Sequence, residues 1–136
     1  METKIETAQD VRNLNGKSVH ENIVLAQAAY KPYPLPMLKP FLLNRNATIT
    51  EAKEYAVALE EYEKQKPAYD IAKKEVQEYN RKIDLAVGDY IKEESGLTKL
   101  PEHTQAKVWR KAYEDGHSNG FYSVYQELEE LVELFQ

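Results

Sequence analysis

Residues 48–94 read TITEAKEYAVALEEYEKQKPAYDIAKKEVQEYNRKIDLAVGDYIKEE, and this stretch decides the fold. Every seventh position is large and apolar or aromatic: Tyr55, Tyr62, Tyr69, Val76, Ile83 and Tyr90. Between them lie Glu, Lys, Gln, Asp and Ala, which favour or tolerate helix. A seven-residue repeat held this long keeps one apolar seam on one side of a helix. At about 1.5 Å per residue a continuous helix here spans about 70 Å. A compact domain of 136 residues is shorter than that, so the reading predicts an elongated protein or a helix that folds back at Pro67.

The limits of the helix are written locally. Thr48 offers an N-cap, with Glu51 three residues on, the pattern of a capping box. Ser95-Gly96 is a stop signal. Pro67 removes one backbone hydrogen bond and crowds the preceding turn, so a kink or a local break is expected there. The seam keeps its phase from Tyr62 to Tyr69, which favours a kink over a reversal. The second seam position reads Leu59, Lys66, Lys73, Asn80, Val87, too polar for a long well-packed coiled coil.

Working outward toward the N-terminus, Asn44-Arg45-Asn46 is a break. Before it stands Lys31-Pro32-Tyr33-Pro34-Leu35-Pro36-Met37-Leu38-Lys39-Pro40-Phe41. Its four prolines within nine residues forbid a regular helix and favour an extended, polyproline-like segment. Two readings stand side by side. The segment is a docking peptide presenting Tyr33, Leu35, Met37 and Phe41, or an apolar strap laid across the protein's own helices, which keeps a sticky run covered. The Ala-containing stretch Ser18–Tyr30 predicts a helix with Ile23 and Tyr30 on its apolar face, and Thr7–Asn13 a short one.

Toward the C-terminus, Pro101 and Glu102 suit the first turn of another helix. Its apolar stripe, Val108, Trp109, Ala112, Tyr113, Gly116, Gly120, Val124, Leu128, Leu131 and Phe135, stays in register through Asp115-Gly116-His117-Ser118-Asn119-Gly120. Either a loop interrupts the helix there, or Gly116 and Gly120 lie on its buried face. Small residues four apart let two backbones approach closely, and a continuous helix antiparallel to the first is the favoured reading. The expected fold is therefore all-α: an elongated antiparallel helical hairpin or coiled-coil-like bundle over residues 47–136, preceded by an extended Pro-rich N-terminal arm over residues 1–46. Gly116, Gly120 and Pro67 are its expected structural positions.

Composition narrows the function. The net charge is −5 and unevenly spread, with six Lys/Arg against four acids in residues 1–46 and twelve against nineteen in residues 47–136. This argues against a general nucleic-acid binder, which needs a basic face. No apolar run approaches the ~20 residues that span a bilayer, and the N-terminus lacks the apolar stretch of a secretory signal. The chain has no cysteine, which excludes disulfides and thiol chemistry and fits a cytosolic setting. His20, His103 and His117 show no helical zinc spacing. Glu114, Asp115 and His117 read as a polar helix face rather than a metal site. No G-x-S-x-G and no phosphate loop occurs, and adjacent acids such as Glu60-Glu61, Glu93-Glu94 and Glu129-Glu130 diverge on a helix. The expectation is a non-enzymatic protein with no cofactor.

Taken together, Lys31-Pro32-Tyr33-Pro34-Leu35-Pro36, the long Glu/Lys/Tyr helix, Ala112-Tyr113-Glu114-Asp115-Gly116-His117-Ser118-Asn119-Gly120, Val124-Tyr125 and Leu131-Val132-Glu133-Leu134 resemble small helical proteins of tailed bacteriophages. The resemblance covers residues 31–136 and carries no catalytic assignment. It implies a phage protein made in the host bacterial cytoplasm. The reading is a protein–protein interaction module that binds and inhibits a host defence or replication protein. Tyr33, Leu35, Met37, Phe41, Tyr55, Tyr62 and Tyr69 form its expected binding surface. The alternatives are a virion assembly factor that self-associates through the seam, and an accessory protein acting beside nucleic acid through the basic arm.

Overall fold

The computed structural model describes residues 4–41 and 45–136. Among these, all regular structure is helical. Five α-helices follow one another: α1 (Ala8–Arg12), α2 (Val19–Gln27), α3 (Ile49–Glu94), α4 (Glu102–Gly116) and α5 (Phe121–Leu134). Single 3-10 turns, Leu97–Lys99 and His117–Asn119, precede α4 and α5.

Each N-terminal helix starts where a side chain satisfies a backbone donor. Thr7 accepts from the Asp10 N–H while the Asp10 carboxylate accepts from the Thr7 N–H at 3.0 Å, a complete capping box. Ser18 accepts from the Glu21 N–H at 3.1 Å. At the start of α3 the Thr48 hydroxyl accepts from the Glu51 N–H at 3.1 Å and donates to the Glu51 carboxylate at 3.2 Å. Gly96 ends that helix with φ +88°, a left-handed position that glycine adopts without a Cβ clash. Pro67 lies inside α3 on an exposed position and the helix runs through it unbroken. Of the expected Asn44–Asn46 break, Asn44 lies outside the described residues, and Arg45-Asn46 form a turn.

The chain forms two compact units. One joins the N-terminal residues through Tyr30 to Tyr79–Gln136, and the other is Lys31–Glu78. This division differs from an arm over 1–46 and a hairpin over 47–136, because α1 and α2 bury apolar side chains in the same core as α4 and α5. That core holds Val11, Ile23 and Ala26 from the N-terminal helices, Ile83, Val87 and Ile91 from the end of α3, Val108 and Ala112 from α4, and Val124, Leu128 and Val132 from α5. Buried Asn22 bridges the pieces: its side-chain amide donates to the Tyr90 hydroxyl at 2.9 Å and its carbonyl accepts from the Gly16 N–H at 2.7 Å. Arg12 of α1 pairs with Glu93 at 2.8 Å and Glu94 at 2.9 Å at the end of α3.

The continuous C-terminal helix is corrected. α4 ends at Gly116, a 3-10 turn follows, and α5 starts after Gly120, so α4 and α5 make a helical hairpin of their own. The two glycines divide the two roles that the sequence suggests for them as a pair. A Cβ on Gly116 would stand 2.9 Å from the Val124 backbone nitrogen and 3.0 Å from its Cα. This is the close backbone approach, made across the hairpin. Gly120 has φ +95° and ψ 175°, with nothing within 4 Å of a Cβ placed there. Its role is conformational, in a region that only glycine enters readily.

The second unit is built differently. None of its described residues is fully buried. Tyr55, Leu59, Tyr62, Tyr69 and Val76 of α3 are half-buried, while the heptad positions Ile83 and Tyr90 belong to the core of the first unit. The seam therefore serves two purposes along one helix, and its first part makes only a thin contact.

Candidate interaction surface

Residues 31–41 have no regular secondary structure, because prolines at 32, 34, 36 and 40 withhold the donors a helix needs. Their burial nevertheless has a period. Pro34, Met37 and Pro40 are half-buried, and every other described residue from Lys31 to Phe41 is exposed. Three residues per turn is the repeat of a polyproline helix, which advances about 3.1 Å per residue. Counted in threes the segment has three rows of side chains: the row 34/37/40 is half-buried and the other two face solvent.

The exposed row is strongly apolar. Leu35 is 88% exposed, Leu38 86% and Phe41 68%. Large apolar side chains in a row at this exposure mark a contact surface more often than chance scatter does. Tyr33 stands on the third row, also exposed. Of the expected binding residues, then, Leu35 and Phe41 share the outer row and Tyr33 flanks it. Met37 faces inward, and Tyr55, Tyr62 and Tyr69 are half-covered on α3. Leu38 is an outer-row residue that the sequence reading passed over; counting the strap in threes finds it. Just before the strap, in the first unit, the Tyr30 hydroxyl donates to the Asp84 carboxylate of α3. Burial, and then the Asp84 charge, push the Tyr30 pKa up, so the phenol stays a donor.

A second surface lies in the first unit. Trp109, Tyr113 and His117 follow at four-residue steps along α4 and its end. Ring centroids are 6.1 Å apart for the first pair and 5.4 Å for the second. Lys92 stands 4.3 Å over the Trp109 ring, a cation–π contact. Lys92, Trp109 and Tyr113 border a shallow groove of about 570 Å³ with Gln105 and Arg110. The Trp109–Tyr113 step belongs to the apolar stripe of the sequence, with His117 on the polar face there, yet Tyr113 is exposed.

Glu114, Asp115 and His117 do not converge. The His117 Nδ1–H donates to the Tyr113 carbonyl at 3.0 Å, and Asp115 pairs with Lys111 at 3.4 Å. Among the described residues no group of three metal-ligating side chains converges, and no helix is long and apolar enough to cross a membrane.

The regular structure of the described residues is all helical and is organised around one long helix, Ile49–Glu94. The chain belongs to DUF8546, a family of unknown function, whose match spans residues 17–136. That span takes in the strap, the long helix and the α4–α5 hairpin, and begins after α1. No curated protein and no solved structure matches the chain.

Proposed function

We propose that this protein is a non-enzymatic protein–protein interaction module whose docking element is the outer row of the strap. The observation that carries the reading is the row itself: Leu35, Leu38 and Phe41 face solvent while the neighbouring row anchors the segment. Anchoring lowers the ordering cost of binding, because an extended apolar peptide held in place loses less freedom when it docks. Such segments dock in apolar or aromatic-lined grooves. The resemblance to small proteins of tailed bacteriophages adds the partner's origin. It is a protein of the bacterial host, met in the cytoplasm, and covering a working surface of a defence or replication protein would inhibit it.

Self-association through the heptad seam is the second reading, and the repeat Tyr55, Tyr62, Tyr69 favours it. Its extent is limited to residues 55–76, since Ile83 and Tyr90 are core.

The test compares the wild-type chain with L35S/L38S/F41S. Proteins retained from bacterial extract by the first and not by the second are purified, and their affinities measured. Fully burying a large apolar side chain contributes about 1.5–3 kcal/mol. Losing three should therefore weaken a partner well over 100-fold. Equal affinity for both chains, with helix content unchanged, would reject the row as the docking element.

A further inference from the structure

Charge is segregated along this chain. Between Glu21 and Glu51 there is no acidic residue, and Lys31, Lys39 and Arg45 carry three positive charges around the strap. From Ala112 onward there is no Lys or Arg, while Glu114, Asp115, Glu127, Glu129, Glu130 and Glu133 carry six negative ones.

The acidic end also carries exposed apolar side chains. Leu134 is 79% exposed, Phe135 57%, and Leu131 is half-buried. Leu131 and Leu134 are spaced i, i+3 on one side of α5, and Phe135 follows as its C-cap. Glu127 and Glu130 lie one turn before Leu131 and Leu134 on that side. These acids are crowded: burial and then Asp115 and Glu130 push the Glu127 pKa up, with Lys111 opposing. A cation brought to this face relieves that repulsion.

We infer that the strap of one copy docks on the α5 face of a second copy, with Leu35, Leu38 and Phe41 against Leu131, Leu134 and Phe135 and the strap lysines beside Glu127 and Glu130. This rests on the strap's outer row being a docking element and gives that row a second occupant. Apolar complementarity supplies affinity, and the opposite charges set register and speed encounter. The two surfaces are different patches, so copies can exchange straps in a closed reciprocal pair or continue head-to-tail, and in either arrangement each contact joins one strap to one α5 face. A partner protein that takes the strap row competes with this self-association.

The experiment follows mass by sedimentation of the full chain over a range of concentrations. The wild type rises above its 15.8 kDa chain mass at low ionic strength and falls back as salt screens the charges. L35S/L38S/F41S and L134S/F135S each remain at chain mass. Their equimolar mixture forms a 1:1 complex of twice that mass and stops there, because only one strap and one α5 face remain intact. If either serine variant loses helix, K31E/K39E replaces the first and E127K/E130K the second; the mixture of charge variants then associates where each alone does not. A wild type at chain mass at every concentration overturns the second copy as partner, while a host protein bound through the row would still stand. Self-association that survives the strap variant, together with unchanged partner binding, overturns the strap reading itself. Association that both variants lose and their mixture fails to restore also overturns the strap-to-α5 contact.

Discussion

Gly116→Ala isolates the close backbone approach of α4 and α5. The new Cβ stands 2.9 Å from the Val124 nitrogen, 3.0 Å from the Val124 Cα and 3.1 Å from the Ser123 carbonyl carbon. Carbon atoms pack best at about 3.5–4.0 Å, so the first turn of α5 must retreat by several tenths of an ångström. No side-chain rotation relieves this, because all three atoms are backbone. The retreat loosens Val124 and Leu128, both in the core. Overpacking of this kind costs about 1–3 kcal/mol. Ala recovers at most about 1 kcal/mol of helix propensity, and less here, since Gly116 is the last residue of α4. The net loss should be about 1–2 kcal/mol. For a chain of 136 residues that lowers Tm by roughly 3–8 °C. Urea unfolding monitored by helix ellipticity measures it, and Gly116→Val should cost more again. An Ala variant as stable as wild type would refute the close approach of the two helices.

Gly120→Ala should lose about 1–3 kcal/mol from backbone strain alone; since its surroundings are open, Gly120→Val should add little beyond Ala, and a steep dependence on side-chain size would contradict the assignment. Tyr90→Phe strips the acceptor from the buried Asn22 amide, so thermal unfolding should show a loss of about 1–3 kcal/mol; a change below about 0.5 kcal/mol would mean the bridge is dispensable. Glu127 has a raised folded pKa, so it favours the fold below the unfolded carboxyl range and loses that contribution as pH rises through the folded value. Glu127→Gln should match wild type at pH well below 4.5 and be modestly more stable at neutral pH; a less stable variant at neutral pH would reverse the sign.

Much of this architecture was legible because its signals are local. Thr48 with Glu51 and Ser95 with Gly96 bracket the long helix, and Thr7 with Asp10 starts α1. The hairpin was hidden for a physical reason. Val108, Ala112 and Gly116 on α4 and Val124, Leu128 and Val132 on α5 are each spaced by four and all are buried. Gly120 continues the step across the turn, so periodicity alone shows no interruption. What separates the two helices is the φ of one glycine, which composition does not reveal. The Pro-rich segment was half legible: prolines excluded helix, but which of its residues are half-buried depends on tertiary contacts that composition does not encode. Trp109 and Tyr113 fall on the apolar stripe, and a stripe pattern does not tell which of its edges stays wet, as Tyr113 does.

The central claim is that one row of the strap is covered and another is presented. The chain has no cysteine, so single-cysteine variants report each position separately through thiol labelling rates. Leu35→Cys, Leu38→Cys and Phe41→Cys should label nearly as fast folded as in denaturant. Met37→Cys should be slower than all three, and Ile83→Cys slower still because that position is core. Equal rates at 35, 37, 38 and 41 would contradict the account, for the segment would then have no inner row and no fixed surface to present.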